Sequence, residues 1–194
     1  MDINKLIERV KNIILSPKTE WPVIAQEQTN IANLYTGYIM ILAAIPAVFG
    51  LFANVLFVKL GIVLSFVIML LTYGLALGMV FLMALLIDAL APSFGAQKNQ
   101  MQAMKTAAYY GTPGWVAGVF QIIPILGGLI MFAAGIYGLF QLYFALPNTM
   151  KVPQERAIGY TVVIVVVAFL LMLLVGGLIG GIIAMAIGGA ALVR

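Results

Sequence analysis

The 194-residue chain contains no cysteine and no histidine, and only six acidic side chains. Without thiols there is no disulfide framework and no cysteine nucleophile. Without imidazole the commonest general base and most zinc and haem ligation are missing as well. Charge of either sign is scarce. Charged residues make up 8% of the chain and hydrophobic ones 64%, against about 25% and about 45–50% in a soluble domain. Too little polar surface exists to cover a water-facing globule, so the sequence reads as an all-α polytopic membrane protein, short enough for one compact bundle. The chain also has no Gly-x-Ser-x-Gly elbow, no phosphate loop and no metal-spaced carboxylate cluster. The expectation is a non-enzymatic protein without a cofactor.

The few charges that are present divide the chain. Uncharged stretches run over residues 28–58, 60–87, 106–150 and 157–193. A spanning helix needs roughly 20 apolar residues, because about 30 Å of hydrocarbon is crossed at about 1.5 Å per residue. The first two stretches each hold one helix, near 35–57 and 61–90. The third is long enough for two, near 106–123 and 126–146, broken at Gln121-Ile-Ile-Pro124-Ile-Leu-Gly127-Gly128. The last is read as one long helix near 158–186, because a glycine-broken hairpin would leave its second arm too short to span. The sequence therefore predicts five transmembrane helices over residues 31–194, preceded by a cytoplasmic amphipathic segment over 1–30.

Orientation follows from the basic residues. Five spans place Lys5, Arg9, Lys11, Lys18, Lys98, Lys105, Lys151 and Arg156 on one side and only Lys59 and Arg194 on the other. The expectation is a cytoplasmic N-terminus and a C-terminus on the far side. Topology thus explains the formal charge of +4 better than nucleic-acid binding does, since no basic stripe is interleaved with aromatics. The first fifteen residues are too charged for the apolar core of a cleavable signal, so the first span is expected to serve as an uncleaved one.

Placed on a helix, Ile3, Leu6, Ile7, Val10, Ile13 and Ile14 fall within an arc of about 120°, and the charged and amide side chains take the other side. Pro17 ends that helix at Ser16. The favoured reading is an interfacial helix in the cytoplasmic leaflet with snorkelling Lys and Arg. The sharper one is a docking helix for a partner. Trp21 between Pro17 and Pro22 suits an aromatic anchor at head-group depth, and Thr19 suits the cap of a short second helix.

Ser16-Pro17 and Trp21 ahead of the first span, Tyr110 with Thr112-Pro113 in the third, and Tyr137-Gly-Leu-Phe-Gln-Leu-Tyr143-Phe-Ala-Leu-Pro147 in the fourth follow an order and spacing that resembles the Yip1 family, in particular its small bacterial inner-membrane members. The resemblance covers nearly the whole chain. It implies five membrane helices with a cytoplasmic N-terminus and, for eukaryotic relatives, a role in vesicle traffic through small GTPases. This chain lacks their long N-terminal region and their Asp-Leu-Tyr-Gly-Pro signature, so a GTPase partnership is not carried over.

Polar residues at bilayer depth need internal partners. Tyr109, Tyr110, Thr112, Gln121, Tyr137, Gln141 and Tyr143 are read as interhelical hydrogen-bond groups or, alternatively, as the lining of a solute or ion path. Gly111-Thr112-Pro113-Gly114 is expected to kink the third helix. Asp88, the one acid in the run from Leu60 to Pro92, is expected to pair with Lys105 or Arg156. Gly176, Gly177, Gly180 and Gly181 form two small-xxx-small pairs that suit tight packing within the monomer, or self-association. The leading functional expectation is a membrane-organising or partner-binding scaffold that works on the lipid bilayer and another membrane protein or a second copy. The alternative is a small-solute or ion transporter using the polar third and fourth helices.

Overall fold

The structure, a computed structural model, describes residues 2–192. Among these every regular element is helical: α1 Ile3–Leu15, α2 Pro17–Gln26, α3 Ile31–Leu34, α4 Met40–Leu56, α5 Ile62–Leu90, α6 Gln100–Tyr110, α7 Thr112–Ala117, α8 Leu126–Thr149 and α9 Gln154–Leu192. The chain divides into two compact units, one reaching Thr161 and one beginning at Val162. Among the described residues, four helical stretches are long and apolar enough to cross a membrane: Ile31–Leu56, Ile62–Phe94, Leu126–Thr149 and Gln154–Gly177.

The first stretch joins α3 to α4 through one π-helical turn, Tyr35–Ile39. The extra residue in that turn brings Gly37, Tyr38 and Ile39 all to the interior. The stretch expected near 106–123 starts earlier and is broken. After α6, Gly111 interrupts the helix, Pro113 enters the first turn of α7, and a 3₁₀ turn over Gly118–Ile122 completes it. Proline lacks the N–H that would continue the ladder, and the hydroxyl of Thr112 donates to the Tyr109 carbonyl at 2.7 Å in its place. Ile123 is extended and α8 begins at Leu126, so the apolar turn falls where the sequence places it. The final stretch is one uninterrupted helix of 39 residues.

Within the first unit, α4 packs on α5 and on the 3₁₀ turn, α5 packs on α6, and α8 packs on α2, α6 and α7. Two glycines permit the closest approaches. A Cβ on Gly118 would lie 2.6 Å from Cβ of Pro46, and one on Gly127 would collide with the Phe120 carbonyl. In the C-terminal unit Gly176, Gly177, Gly180 and Gly181 are exposed, and a Cβ on any of them would meet open space.

Candidate functional site

Several buried polar side chains of the first unit bond to the segment formed by α1, α2 and the loop after them. At the centre is Gln141 of α8, wholly buried. Its oxygen accepts from Trp21 Nε1 at 2.8 Å, and its nitrogen donates to the Ile13 carbonyl at 2.6 Å. One turn earlier, Tyr137 donates to the Ile14 carbonyl at 2.7 Å. These carbonyls belong to the last turn of α1, where helix geometry leaves acceptors without partners. One glutamine therefore ties the end of α1 and the indole of α2 to the same helix.

Lys105 does the same for α2. Its ammonium is buried and donates to the carbonyls of Ile24 at 3.0 Å, Ala25 at 3.1 Å and Glu27 at 2.6 Å. A cation at a helix C-terminus meets both free acceptors and the negative end of the macrodipole. Burial pushes this ammonium below the ordinary lysine value, with the Glu27 carboxylate opposing the shift. Gln102 adds a bond to the Ala25 carbonyl at 2.8 Å.

Arg9 closes the joint from α1. It pairs with Glu20 and, at 2.8 Å, with Glu27, and its guanidinium lies 5.6 Å from the Tyr109 ring centre. Tyr109 packs edge-on against Tyr38, whose hydroxyl donates to Thr112 at 2.7 Å, the Thr112 proton being spent on the Tyr109 carbonyl. Thr106 and Thr149 are bonded across α6 and α8, also at 2.7 Å. A cavity of about 310 Å³, lined by Glu27, Asn33, Thr36 and Tyr109 among others, lies beside this cluster.

The structure thus turns Lys105, Tyr137 and Gln141 toward the N-terminal segment that carries Trp21, and Thr112 reaches the same joint through Tyr38 and Tyr109; the other expected residues lie elsewhere. Tyr110 is half-buried beside Gly138. Tyr143 is half-buried and accepts from Gln154 at 3.1 Å. Gln121 lines a different cavity, between α4, α5 and α8. Of the apolar arc of α1, Leu6 and Ile13 are buried in the protein, Val10 and Ile14 are half-buried, and Ile3 and Ile7 are exposed. Trp21, expected at head-group depth, is wholly buried.

Asp88 has neither of the partners the sequence suggested. Its carboxylate accepts from the Asn99 backbone N–H at 2.6 Å, and the Asn99 side chain accepts from Gln102 N at 3.1 Å as the cap of α6. Lys105 faces the end of α2 instead, and Arg156 lies against Gly95. Among the described residues the only ion pairs are those of Arg9. Arg9, Glu20 and Glu27 were missed as site residues. Their separation in the chain gave no signal, since an acid 11 or 18 residues from a base is not a helix-surface pair.

Apolar spanning helices tied to an inward-bonded N-terminal segment define an integral membrane protein rather than a soluble helical domain. The chain matches the Yip1 domain over residues 11–176, and it belongs to the Yip1 family. It is similar to inner membrane protein YohC of Escherichia coli strain K12, 24% identical over 166 residues that cover 80% of this chain and 85% of that protein. Inner membrane protein YohC of Escherichia coli O6:H1 strain CFT073 is similar to the same extent. No solved structure matches the chain.

Proposed function

We propose that this Yip1-family membrane protein is a non-enzymatic, multi-pass scaffold of the bacterial inner membrane. In this reading it crosses the bilayer five times, with the broken stretch over 106–123 as the third span. The N-terminus is cytoplasmic and the C-terminus lies on the far side. The name of the Escherichia coli relatives and the eight-to-two distribution of basic residues support the location and the orientation.

The observation that carries the scaffold reading is the joint itself. Gln141, Lys105 and Tyr137 spend hydrogen bonds on α1, α2 and the residue after them, and Trp21 of α2 returns one to Gln141. The segment is thereby a fixed platform that presents Ile3, Ile7, Leu15 and Val23 outward, with Lys5, Lys11 and Lys18 also exposed. Apolar and basic side chains together suit an anionic leaflet or a membrane-bound partner. A transporter would need the polar groups aligned along one path. Of those assigned to such a path only Gln121 lines the larger cavity, and the two cavities share no lining residue.

The test is a detergent-solubilised pull-down with mass spectrometry, run beside a proteoliposome flux assay. The intact protein should retain a defined set of membrane proteins that Ile7→Asp with Leu15→Asp loses, and flux should equal that of protein-free vesicles. Solute flux without any retained partner would reverse the reading. Cys residues placed at Lys98 and Arg194, on the Cys-free background, should label from opposite faces. Labelling from one face would remove a span.

A further inference from the structure

We propose that the crevice between α4, α5 and the start of α8 binds one uncharged lipid, its hydroxyl- or ester-bearing head on Asn54 and Gln121 and its hydrocarbon along the wall beyond. The inference rests on the crevice alone and not on the scaffold reading.

The crevice measures about 460 Å³, within the range of small-molecule sites. It exists because Ala43, Ala47 and Gly50 of α4, Ala76 of α5 and Gly127 and Gly128 of α8 contribute almost no side-chain volume to its lining. No acidic or basic side chain lines it. A charged ligand would lose its hydration there without a counter-charge, at a cost of several kcal/mol in a low-dielectric site. The occupant is therefore uncharged.

Four polar side chains line the space: Asn54, Thr72, Tyr73 and Gln121. Two are already committed, Thr72 to the Ile68 and Met69 carbonyls and Tyr73 to that of Met40. The carboxamides of Asn54 and Gln121 have no hydrogen-bond partner among the described residues. The Gln121 oxygen lies against Gly50, 3.1 Å from where a Cβ would stand. Each carboxamide offers two donors and an acceptor, so the pair can meet a ligand's hydroxyl or ester with both kinds of hydrogen bond.

The unpartnered amides stand toward one end of the crevice, and the hydroxyls of Thr72 and Tyr73, already bonded to carbonyls, line the rest. Asn54 stands in the last turn of α4, close to Lys59 and the membrane boundary, and Ala43 stands near the middle of the same spanning stretch. The eleven helical steps from one to the other rise about 16 Å, close to half of a hydrocarbon core of about 30 Å. That matches one leaflet's depth, head at the boundary and chain inward. The rim residues Ile123, Pro124 and Ile125 are exposed, as are Phe52 and Leu70 beside the lining. The mouth therefore opens on the surface that faces hydrocarbon, and the bilayer is the source of the occupant.

The full chain, purified in detergent, is to be labelled with a photoactivatable diacylglycerol and the modified peptides mapped. Label should concentrate within residues 43–54 and 68–76, compete with unlabelled dioleoylglycerol, and resist an equal amount of dioleoylphosphatidylglycerol. Ala47→Phe, which fills the crevice, should remove at least nine-tenths of the label. Asn54→Leu with Gln121→Leu, which keeps the shape and removes the amides, should weaken half-maximal competition roughly tenfold with an unchanged melting temperature. The map on the unmutated protein decides the matter even where a variant folds poorly. Unsaturable label spread over lipid-facing positions such as Phe132 would overturn the site. Equal competition by the anionic lipid would overturn its preference for uncharged ligands.

Discussion

Replacing Gln141 with Leu should detach the N-terminal segment without unfolding the rest. The two side chains are similar in size, so packing within α8 is kept, and the change acts through hydrogen bonds. It strands the Trp21 indole N–H and the Ile13 carbonyl, which belong to residues with no exposure to solvent. A buried polar group left without its partner costs about 1–3 kcal/mol, so the pair costs about 2–6 kcal/mol. Whole domains are stable by about 5–15 kcal/mol, and lifting α1 and α2 into water rehydrates both groups. Local release is therefore the cheaper response. With Trp115→Phe as background, Trp21 is the sole indole. Its emission should shift to the red in Gln141→Leu, and trypsin should cut faster after Lys11 and Lys18. Tyr137→Phe is the control, since it strands only the carbonyl of half-buried Ile14, which water reaches, at about 0.5–1.5 kcal/mol. Unchanged emission and cleavage in Gln141→Leu, or a larger effect in Tyr137→Phe, would refute the account of the joint.

Two further perturbations probe the same unit. Lys105→Met should lower the melting temperature in detergent by the equivalent of about 1–3 kcal/mol, because three carbonyls at the end of α2 lose their donor; a rise would mean that desolvating the ammonium outweighs its bonds. Gly118→Ala should cost about 1–3 kcal/mol by driving a methyl group into the Pro46 backbone. Gly176→Ala, facing open space inside α9, should leave the same melt unchanged or raise it by up to about 1 kcal/mol, and a loss larger than that of Gly118→Ala would show that the glycine pairs of α9 hold the closer contact.

Helix positions were legible because membrane insertion writes them directly into composition. The gaps bounded by Glu27, Lys59, Asp88, Lys105, Lys151 and Arg156 locate the stretches later seen as α4, α5, α8 and α9. The same rule misplaces the start of α6. It treats Lys105 as the edge of a span, although the helix begins at Gln100 behind the Asn99 cap and carries the lysine inside the fold. A buried ammonium makes sense only beside the carbonyls of Ile24, Ala25 and Glu27, and these come from a helix about 80 positions away in the chain. The interruption at Gly111-Thr112-Pro113 was readable for the opposite reason, since its cause lies within three consecutive residues. Helical periodicity likewise gave the extent of α1. It did not give the buried face, because Arg9 on the polar side turns inward toward acids supplied by α2 and the loop that follows it.

Asp88 shows why polar partners are harder to foresee than helices. Matching charges along the sequence offers a carboxylate only lysines and arginines, and on that basis Lys105 and Arg156 were its candidates. The fold offers it backbone donors too, and the N–H of Asn99, freed where the chain turns from α5 into α6, reaches it first. Gln141, Tyr137 and Lys105 follow the same rule with the roles reversed, each finding a carbonyl at the end of α1 or α2. Carbonyls and N–H groups occur at nearly every residue, so residue type carries no mark of which ones a side chain will meet. Helix ends are where they stand free. The usable signal is therefore positional: two short helices ending near Ser16 and Glu27, opposite spans that carry a glutamine and a lysine facing the interior. Had the ends of α1 and α2 been treated as acceptors in need of donors, Gln141 and Lys105 would have stood out as the residues fixing the N-terminal segment, rather than one as a member of a polar path and the other as a partner for Asp88.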